Sequence, residues 1–315
     1  MSLNSGVKIL IVGAGAIGGY FGSRLIDAGR DVTFLVRPRR VEQLRRDGLV
    51  VISPLGNLNL PTPSLVTAQD LKDHYRLIIV SSKSYDLEAS IRDFAPGVGE
   101  NSLVLPLLNG LRHLDVLDER FGRQRVLGGL ARISSTLDAE GRIHQLGPYN
   151  ALAFGAREST AQAGVAAIAE CLSVPGFEAI LSPQILQDMW EKWVFIAAAA
   201  STTSLMRATV GDIMAAGAKD ISVRLLQECG AIAAENGFTP RDAATNAGLS
   251  VLTTPGSPFT ASMLRDIEQG SRIEADHIVG DLLRRASKSP PPLLSIAYAH
   301  LRSYEARRKR ESETA

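Results

Sequence analysis

Residues 9–18 read ILIVGAGAIG, a short apolar run that passes directly into G-x-G-x-x-G at Gly13, Gly15 and Gly18. An unbroken apolar run of this kind reads as a strand covered on both faces, and the glycines then open a helix. Gly13 serves the tight turn, Gly15 the close approach of a pyrophosphate, and Gly18 the close packing of helix on strand. Ala14, Ala16 and Ile17 complete the turn, so residues 13–18 form a candidate cradle of backbone N–H groups for a dinucleotide. The next strand, Asp31–Val36, runs into Arg37-Pro38-Arg39-Arg40, where a chain selective for a free ribose 2′-hydroxyl would carry an acid. Arg37, Arg39 and Arg40 suit a 2′-phosphate, and Arg37, nearest the strand end, is the favoured contact. The cofactor expected from this pairing is NADPH. The alternative reading of the basic run is a solvated loop.

A length of 315 residues suggests two domains, with 45% hydrophobic and 21% charged residues, as in a globular chain. Lys+Arg 34 against Asp+Glu 33 leaves a formal charge of +1, with no basic field for nucleic acid. The basic run Arg307–Arg310 reads as a solvated tail. Cys171 and Cys229 show no disulfide or metal spacing, and His74, His113, His144, His277 and His300 are scattered, so no metal site is expected. A reducing, cytoplasmic setting fits. The longest apolar stretch, near Phe195–Ala200, is too short for a bilayer. Met1–Gly6 reads as a disordered leader or an expression remnant.

Strand and helix alternate over the first 110 residues. Helices are expected at Ala16–Ala28, Val41–Asp47 and Tyr85–Phe94, and strands at Val7–Val12, Asp31–Val36, Leu49–Ile52, Leu77–Ser81 and Ser102–Pro106. Pro54–Pro63 reads as a hairpin excursion. Short strands between Gln124 and Phe154 read as the far, partly antiparallel edge of the same sheet. Helix Ala161–Leu172 and a strand near Phe177–Ile180 close the domain. From Pro183 onward only helices are expected: Gln184–Met206, Lys219–Asn236, Arg241–Val251, Ala261–Glu268, Glu274–Lys288 and Leu294–Arg310, with stops at Gly237 and Gly270 and a rigid break at Pro290–Pro292. The expected architecture is a doubly wound α/β Rossmann-type domain over 7–182, followed by an all-α domain over 183–315. The active site is expected in the cleft between them.

Candidate site residues fall in both halves. Lys83 follows the strand IIVSS and Asn109 follows SLVLP, both at strand ends where this fold binds ligands. In the helical half, Lys192 stands beside Trp193, Val194 and Ile196. It reads either as a partly desolvated proton donor or as a lysine snorkelling at a helix edge. Glu274 lies in S-M-L-R-D-I-E-Q-G-S-R-I-E-A-D-H-I at Ser262–Ile278, and taken alone it could be a first-turn acid.

The set GAGAIGG, Lys83 after its strand, Asn109-Gly110, Trp190-x-Lys192 and S-M-L-x-D-I-E-x-G-x-x-x-E-x-D-x-I resembles the ketopantoate reductase family over nearly the whole chain. The resemblance implies a C-terminal domain like that of 6-phosphogluconate dehydrogenase and NADPH-dependent reduction of 2-dehydropantoate to (R)-pantoate, on the route to pantothenate and coenzyme A. It implies Lys192 as general acid and Glu274 as the group that orders the lysine, the substrate hydroxyl and the cofactor ribose. Ser262 is implied for the substrate carboxylate, Asn109 for the cofactor–substrate junction, Lys83 for the cofactor and Arg37 for the 2′-phosphate.

The chain departs from the family pattern in one direction. Asparagines expected four and eight residues after the lysine are Ile196 and Ala200, a further one is Val210, and a polar residue expected shortly before the serine is Phe259. Two substrate readings follow. One is a ketopantoate reductase reaching the substrate hydroxyl through Glu274, Ser201 or Thr202. The other is a paralogue that reduces a more apolar 2-oxo acid or ketone. An opine-type dehydrogenase and a non-enzymatic NADPH-sensing module are the competing classes. The apolar stretch Ile196–Ala200 leaves packing within one chain and across a homodimer equally open.

Overall fold

The computed structural model describes residues 6–158 and 162–313. The expected leader up to residue 5 and the expected helix start at Ala161 lie outside these. The chain folds as two compact units: the first runs to Leu108 and resumes over His113–Leu186, and the second combines Asn109–Arg112 with Gln187–Ala315.

The first unit contains two sheets. Strands β1 (Ile9–Val12), β2 (Val32–Leu35), β5 (Ser64–Val66), β6 (Tyr75–Val80) and β7 (Val98–Pro106) form a parallel sheet in the order β5-β2-β1-β6-β7. This is the 3-2-1-4-5 winding of a dinucleotide-binding half, with helices α1 (Gly18–Asp27), α2 (Pro38–Asp47) and α3 (Leu87–Phe94) in the crossovers. Ile11 pairs with Phe34 on one side and Ile79 on the other, and all three are wholly buried, as a continuous apolar strand requires. Helix α4 (Arg112–Phe121) follows β7. The sequence reading missed it, although Leu114 and Leu117 carry the i, i+3 apolar spacing of a helix and are buried.

The second sheet corrects an expectation. The strands after Gln124 do not extend the first sheet. β8 (Gly128–Leu137) and β9 (Ile143–Gly155) pair antiparallel, and β9 also runs parallel to β3 (Leu49–Ile52) and β10 (Glu178–Leu181), while β3 turns back onto β4 (Leu58–Leu60). Among the described residues, the edge of β7 is met by one isolated parallel bridge, Val104–Val126, outside the named strands. β9, 13 residues long, can serve all three partners along its length. Helix α5 (Gln162–Leu172) precedes β10. Helix α1 meets both sheets: Gly22 faces Phe34 and Ile11, and Gly19 faces Ile143 of β9.

The second unit is helical: α6 (Ile185–Met206), α7 (Val210–Ala215), α8 (Lys219–Glu235), α9 (Asp242–Leu252), α10 (Ser262–Glu268), α11 (Asp281–Arg284) and α12 (Pro292–Glu313). Residues 197–204 of α6 are buried all round, so this helix is the unit's axis rather than a surface helix. The short α7 was not foreseen, but T-x-x-D announces it: Thr209 Oγ1 accepts from the Asp212 N–H, and the Asp212 carboxylate accepts from the Thr209 N–H. The helix expected over Glu274–Lys288 is shorter. It consists of a π-helical turn at Asp276–Gly280 continued by α11. Among the described residues no helix is long and apolar enough to cross a membrane.

The α1 contact can be tested. A Cβ on Gly22 would lie 2.5 Å from Phe34 Cζ and 2.6 Å from Ile11 Cδ1. Gly22→Ala is expected to lower stability by about 1–3 kcal/mol despite alanine's better helix propensity. Gly15→Ala, whose Cβ would meet nothing within 4 Å, is expected to stay within about 0.5 kcal/mol of the parent. Urea unfolding of the two variants side by side makes the comparison, and equal midpoints would contradict the packing described.

Candidate active site

In the first unit, β1 ends at Val12 and Gly13 turns the chain at φ +95°. Ser81, at the end of β6, donates its hydroxyl to the carbonyls of Val12 (2.9 Å) and Gly13 (3.2 Å). β1 and β6 are the neighbours between which the winding of the sheet reverses, the place where open α/β sheets take ligands. No side chain among the described residues caps α1 at Ile17, and its first turn holds no acid, so no side chain there competes with an anion. With open space over Gly15, residues 13–18 fit a dinucleotide pyrophosphate.

Arg37 stands at the N-terminal boundary of α2 and is exposed, with Nη2 3.1 Å from Asp86 Oδ1. The acid absent from the end of β2 thus arrives from the turn Ser84–Asp86 that Lys83 opens. Lys83 is exposed and already engages a partner. Arg39 is exposed as well. Arg40 differs from both: it is turned inward and half-buried, with Nη2 donating to the carbonyls of Ala14 (3.0 Å) and Gly141 (3.1 Å) and Nη1 donating to Gln43 Oε1 (2.7 Å). Adjacent helical residues point about 100° apart, so Arg39 and Arg40 cannot share one face of α2.

The second unit gathers the other candidates. Lys192, Ile196, Ala199 and Thr203 follow one face of α6. Thr203 donates to the Ala199 carbonyl (2.8 Å), and its oxygen accepts from the Ala261 N–H (3.3 Å), which fixes the start of α10 and hence Ser262 beside this face. Ser262 itself is exposed. Next to Lys192, Trp193 is buried and its indole N–H donates to the Ile278 carbonyl (2.8 Å), so α6 is pinned to the segment that follows Glu274. Lys192 and Glu274 are half-buried and each engages a partner. Glu191 points elsewhere. Burial alone would raise its carboxyl, but hydrogen bonds from Arg241 and Gln187 outweigh this and hold it below the usual range.

Asn109 belongs with these residues. The buried His277 ring bonds the Asn109 backbone, and burial pushes this imidazole below its ordinary range. Gly110, at φ +75°, packs so tightly that a Cβ would lie 3.0 Å from the His277 carbonyl. Arg112 reaches Asp276 Oδ2 at 3.2 Å. Asp276 also accepts from Arg284 (2.8 Å) and Tyr298 (2.7 Å). The Arg284 bond, opposed by burial and aided by Tyr298 and Arg112, holds the Asp276 carboxyl down at about 2. The sequence reading gave no role to Asp276 or His277. Their signal was an acid and a histidine side by side, two and three residues after Glu274.

Two family models divide this chain. One described as "Ketopantoate reductase PanE/ApbA" matches residues 9–159, and one described as "Ketopantoate reductase PanE/ApbA C terminal" matches residues 184–305. The chain belongs to the ketopantoate reductase family. It is 37% identical over 303 residues to YkpB of Bacillus subtilis, an uncharacterized oxidoreductase, covering 95% of this chain and 99% of that one. The 2-dehydropantoate 2-reductase of Geobacter metallireducens superposes with a TM-score of 0.85 at 26% identity, covering 94% of this chain and 99% of that structure. A D-mandelate dehydrogenase solved with NADH and anilino(oxo)acetate shares the fold, with a TM-score of 0.86 at 21% identity over 96% of this chain and 99% of that one.

Within the ketopantoate reductase frame, the four apolar departures separate. Ala200 (3% exposed) and Val210 (0%) are closed into the core and serve packing. Ile196 and Phe259 stay partly open, and Phe259 stands 6.2 Å from Phe195, ring to ring. Ser201 and Thr202, the proposed substitutes for the missing asparagines, are wholly buried and lie off the Lys192 face of α6. They cannot reach a substrate there.

Asp276 sets an acid limit. Its folded-state value lies below the unfolded one, so the stability it lends is present above about pH 4 and is lost as pH falls toward about 2. The carboxylate is 41% exposed, so solvent screening reduces the gain to about 1 kcal/mol. Asp276→Asn is expected to be less stable than the parent by roughly that amount at pH 7, with the gap closing in urea unfolding below pH 3. A gap constant across pH would contradict this assignment.

Proposed function

We propose that this chain is a nicotinamide-dependent 2-oxo acid reductase, with NADPH and 2-dehydropantoate as the leading pair and (R)-pantoate, a precursor of pantothenate and coenzyme A, as product. The observation that carries the reading is the assembly of Asn109, Lys192, Ser262 and Glu274 in one unit, anchored by His277, Trp193 and Thr203. The cofactor range is 13–18 with Arg37, Lys83 and Asn109. When bound, the reduced nicotinamide supplies a hydride to the carbonyl carbon. Lys192 donates its ammonium proton to the carbonyl oxygen as negative charge develops there, so a 2-oxo acid becomes a 2-hydroxy acid. Ser262 donates to the substrate carboxylate. Glu274 accepts from the lysine ammonium and the substrate hydroxyl, and the Asn109 amide holds the junction of cofactor and substrate. Domain roles follow: cofactor in the α/β unit, substrate and proton donor in the helical unit.

A second reading is favoured by Ile196 and the Phe195–Phe259 pair beside Lys192: the substrate is a 2-oxo acid with a more apolar side chain. A wall without amide donors forgoes the hydrogen bonds that would select a hydroxylated acid. The D-mandelate dehydrogenase likeness is in keeping with this reading but rests on fold alone.

Steady-state turnover of 2-dehydropantoate and of a branched or aromatic 2-oxo acid, each with NADPH and NADH, is the test. Lys192→Ala is expected to lower kcat by about 100-fold or more on every substrate. Arg37→Ala is expected to raise KM for NADPH roughly tenfold and leave NADH unchanged, whereas Asp86→Asn, which frees Arg37, lowers KM for NADPH a few-fold, on the order of 1 kcal/mol. Ile196→Asn is expected to shift kcat/KM toward 2-dehydropantoate by about tenfold relative to the apolar acid. No turnover of any 2-oxo acid with either cofactor would overturn the proposal.

A further inference from the structure

The turn at residues 13–18 is held from behind, carbonyl by carbonyl. The Gly13 carbonyl accepts from Ser81, the Ala14 carbonyl from Arg40 (3.0 Å) and the Ala16 carbonyl from Ser135 of β8 (3.1 Å). In a trans peptide the C=O and the following N–H point in opposite directions. Pinning these three oxygens therefore aims the N–H groups of Ala14, Gly15 and Ile17 the other way. Two of the three tethers lead to the second sheet. Arg40 donates to both Ala14 and Gly141 through one nitrogen, and Gln43 donates to the Glu140 carbonyl (2.8 Å) in the turn that joins β8 to β9. Gly141 has φ +79°, and a Cβ there would overlap the Arg40 guanidinium, so this turn is shaped to receive it. Arg40 is also unlike the other arginines of its loop. It is half-buried and bonds backbone carbonyls, with the Asp47 carboxylate acting on it only through space, whereas Arg37 is exposed and meets Asp86.

We propose that Arg40 is a positioning residue of the cofactor site: with Gly141 and Ser135 it fixes the glycine turn in its donor-outward form, and its half-buried positive charge stands behind the pyrophosphate. This rests on the reading that residues 13–18 bind a dinucleotide. It predicts a division of labour. Arg37 distinguishes NADPH from NADH, while Arg40 acts on whatever carries a pyrophosphate.

Dissociation constants for NADPH, NADH and ADP, read by ligand fluorescence and by calorimetry, test the division without turnover. Arg40→Met is expected to weaken all three about equally, by roughly tenfold. Arg40→Lys, which keeps the charge and loses the fork, weakens all three by a smaller equal factor. Gly141→Ala alters no charge, is remote in sequence, and is expected to weaken all three about threefold or more. It keeps the test valid should Arg40→Met fail to fold. Arg37→Ala weakens NADPH alone. Loss confined to NADPH in Arg40→Met would make Arg40 a 2′-phosphate ligand and overturn the proposal. So would unchanged affinities in both Arg40→Lys and Gly141→Ala. A parent protein that binds none of the three would instead overturn the cofactor reading itself.

Discussion

Helix α1 lies where it does because residue 18 has no side chain. A Cβ on Gly18 would overlap Ser81 Oγ and the Gly13 carbonyl. Without it, the helix comes down onto the ends of β1 and β6 while Ser81 still bonds both carbonyls. The same approach continues at Gly22 against Phe34 and at Gly19 against β9, so one glycine-lined helix is clasped by two sheets. Position of helix, shape of turn and orientation of the N–H groups are thus one steric fact seen at three places.

What was legible in the chain follows from the range of the forces involved. The strand–turn–helix at 9–27 is local and was read nearly to the residue, as were most helices of the second unit, where stops such as Gly237 and Gly270 take positive φ. The antiparallel character of the strands after Gln124 was legible, but the pairing of β9 with β3 was not, because nothing in a short apolar strand states which partner, 90 or so residues away, it will meet. The packing of Arg40 was hidden for the same reason: its identity suggests an exposed phosphate ligand, and its bonds to the carbonyls of residues 14 and 141 join segments far apart in sequence. The family resemblance named Lys192, Ser262 and Glu274 as candidates, but the residues that tie their segments together (Thr203, Trp193 and His277) are ordinary buried side chains in a single sequence.

The helical unit shows how a polar constellation is kept in register on an apolar axis. Helix α6 is buried almost throughout its second half, and its alanines let neighbours come close. Two polar groups of this helix bind the backbone of other segments: Trp193 to Ile278, and Thr203 to the start of α10. Each such bond sets a distance between segments far apart in sequence. Side chains at Ile196 and Phe259 can therefore change in polarity without disturbing the frame, and this is where members of one fold are free to differ.

The four residues Asn109–Arg112 leave the first unit's chain and pack with the second, through His277 and Asp276. The polypeptide therefore passes from one unit to the other three times, not once. A fragment beginning at Gln187 would lack the strap that Asn109 and Arg112 supply, leaving the His277 ring and the Asp276 carboxylate each short of a bonding partner. The two units are separate as cores, yet the chain cannot be cut into two pieces that are each complete. Neither gene fusion nor circular permutation at the 186/187 junction would exchange the helical unit intact between relatives, since part of it is encoded inside the other.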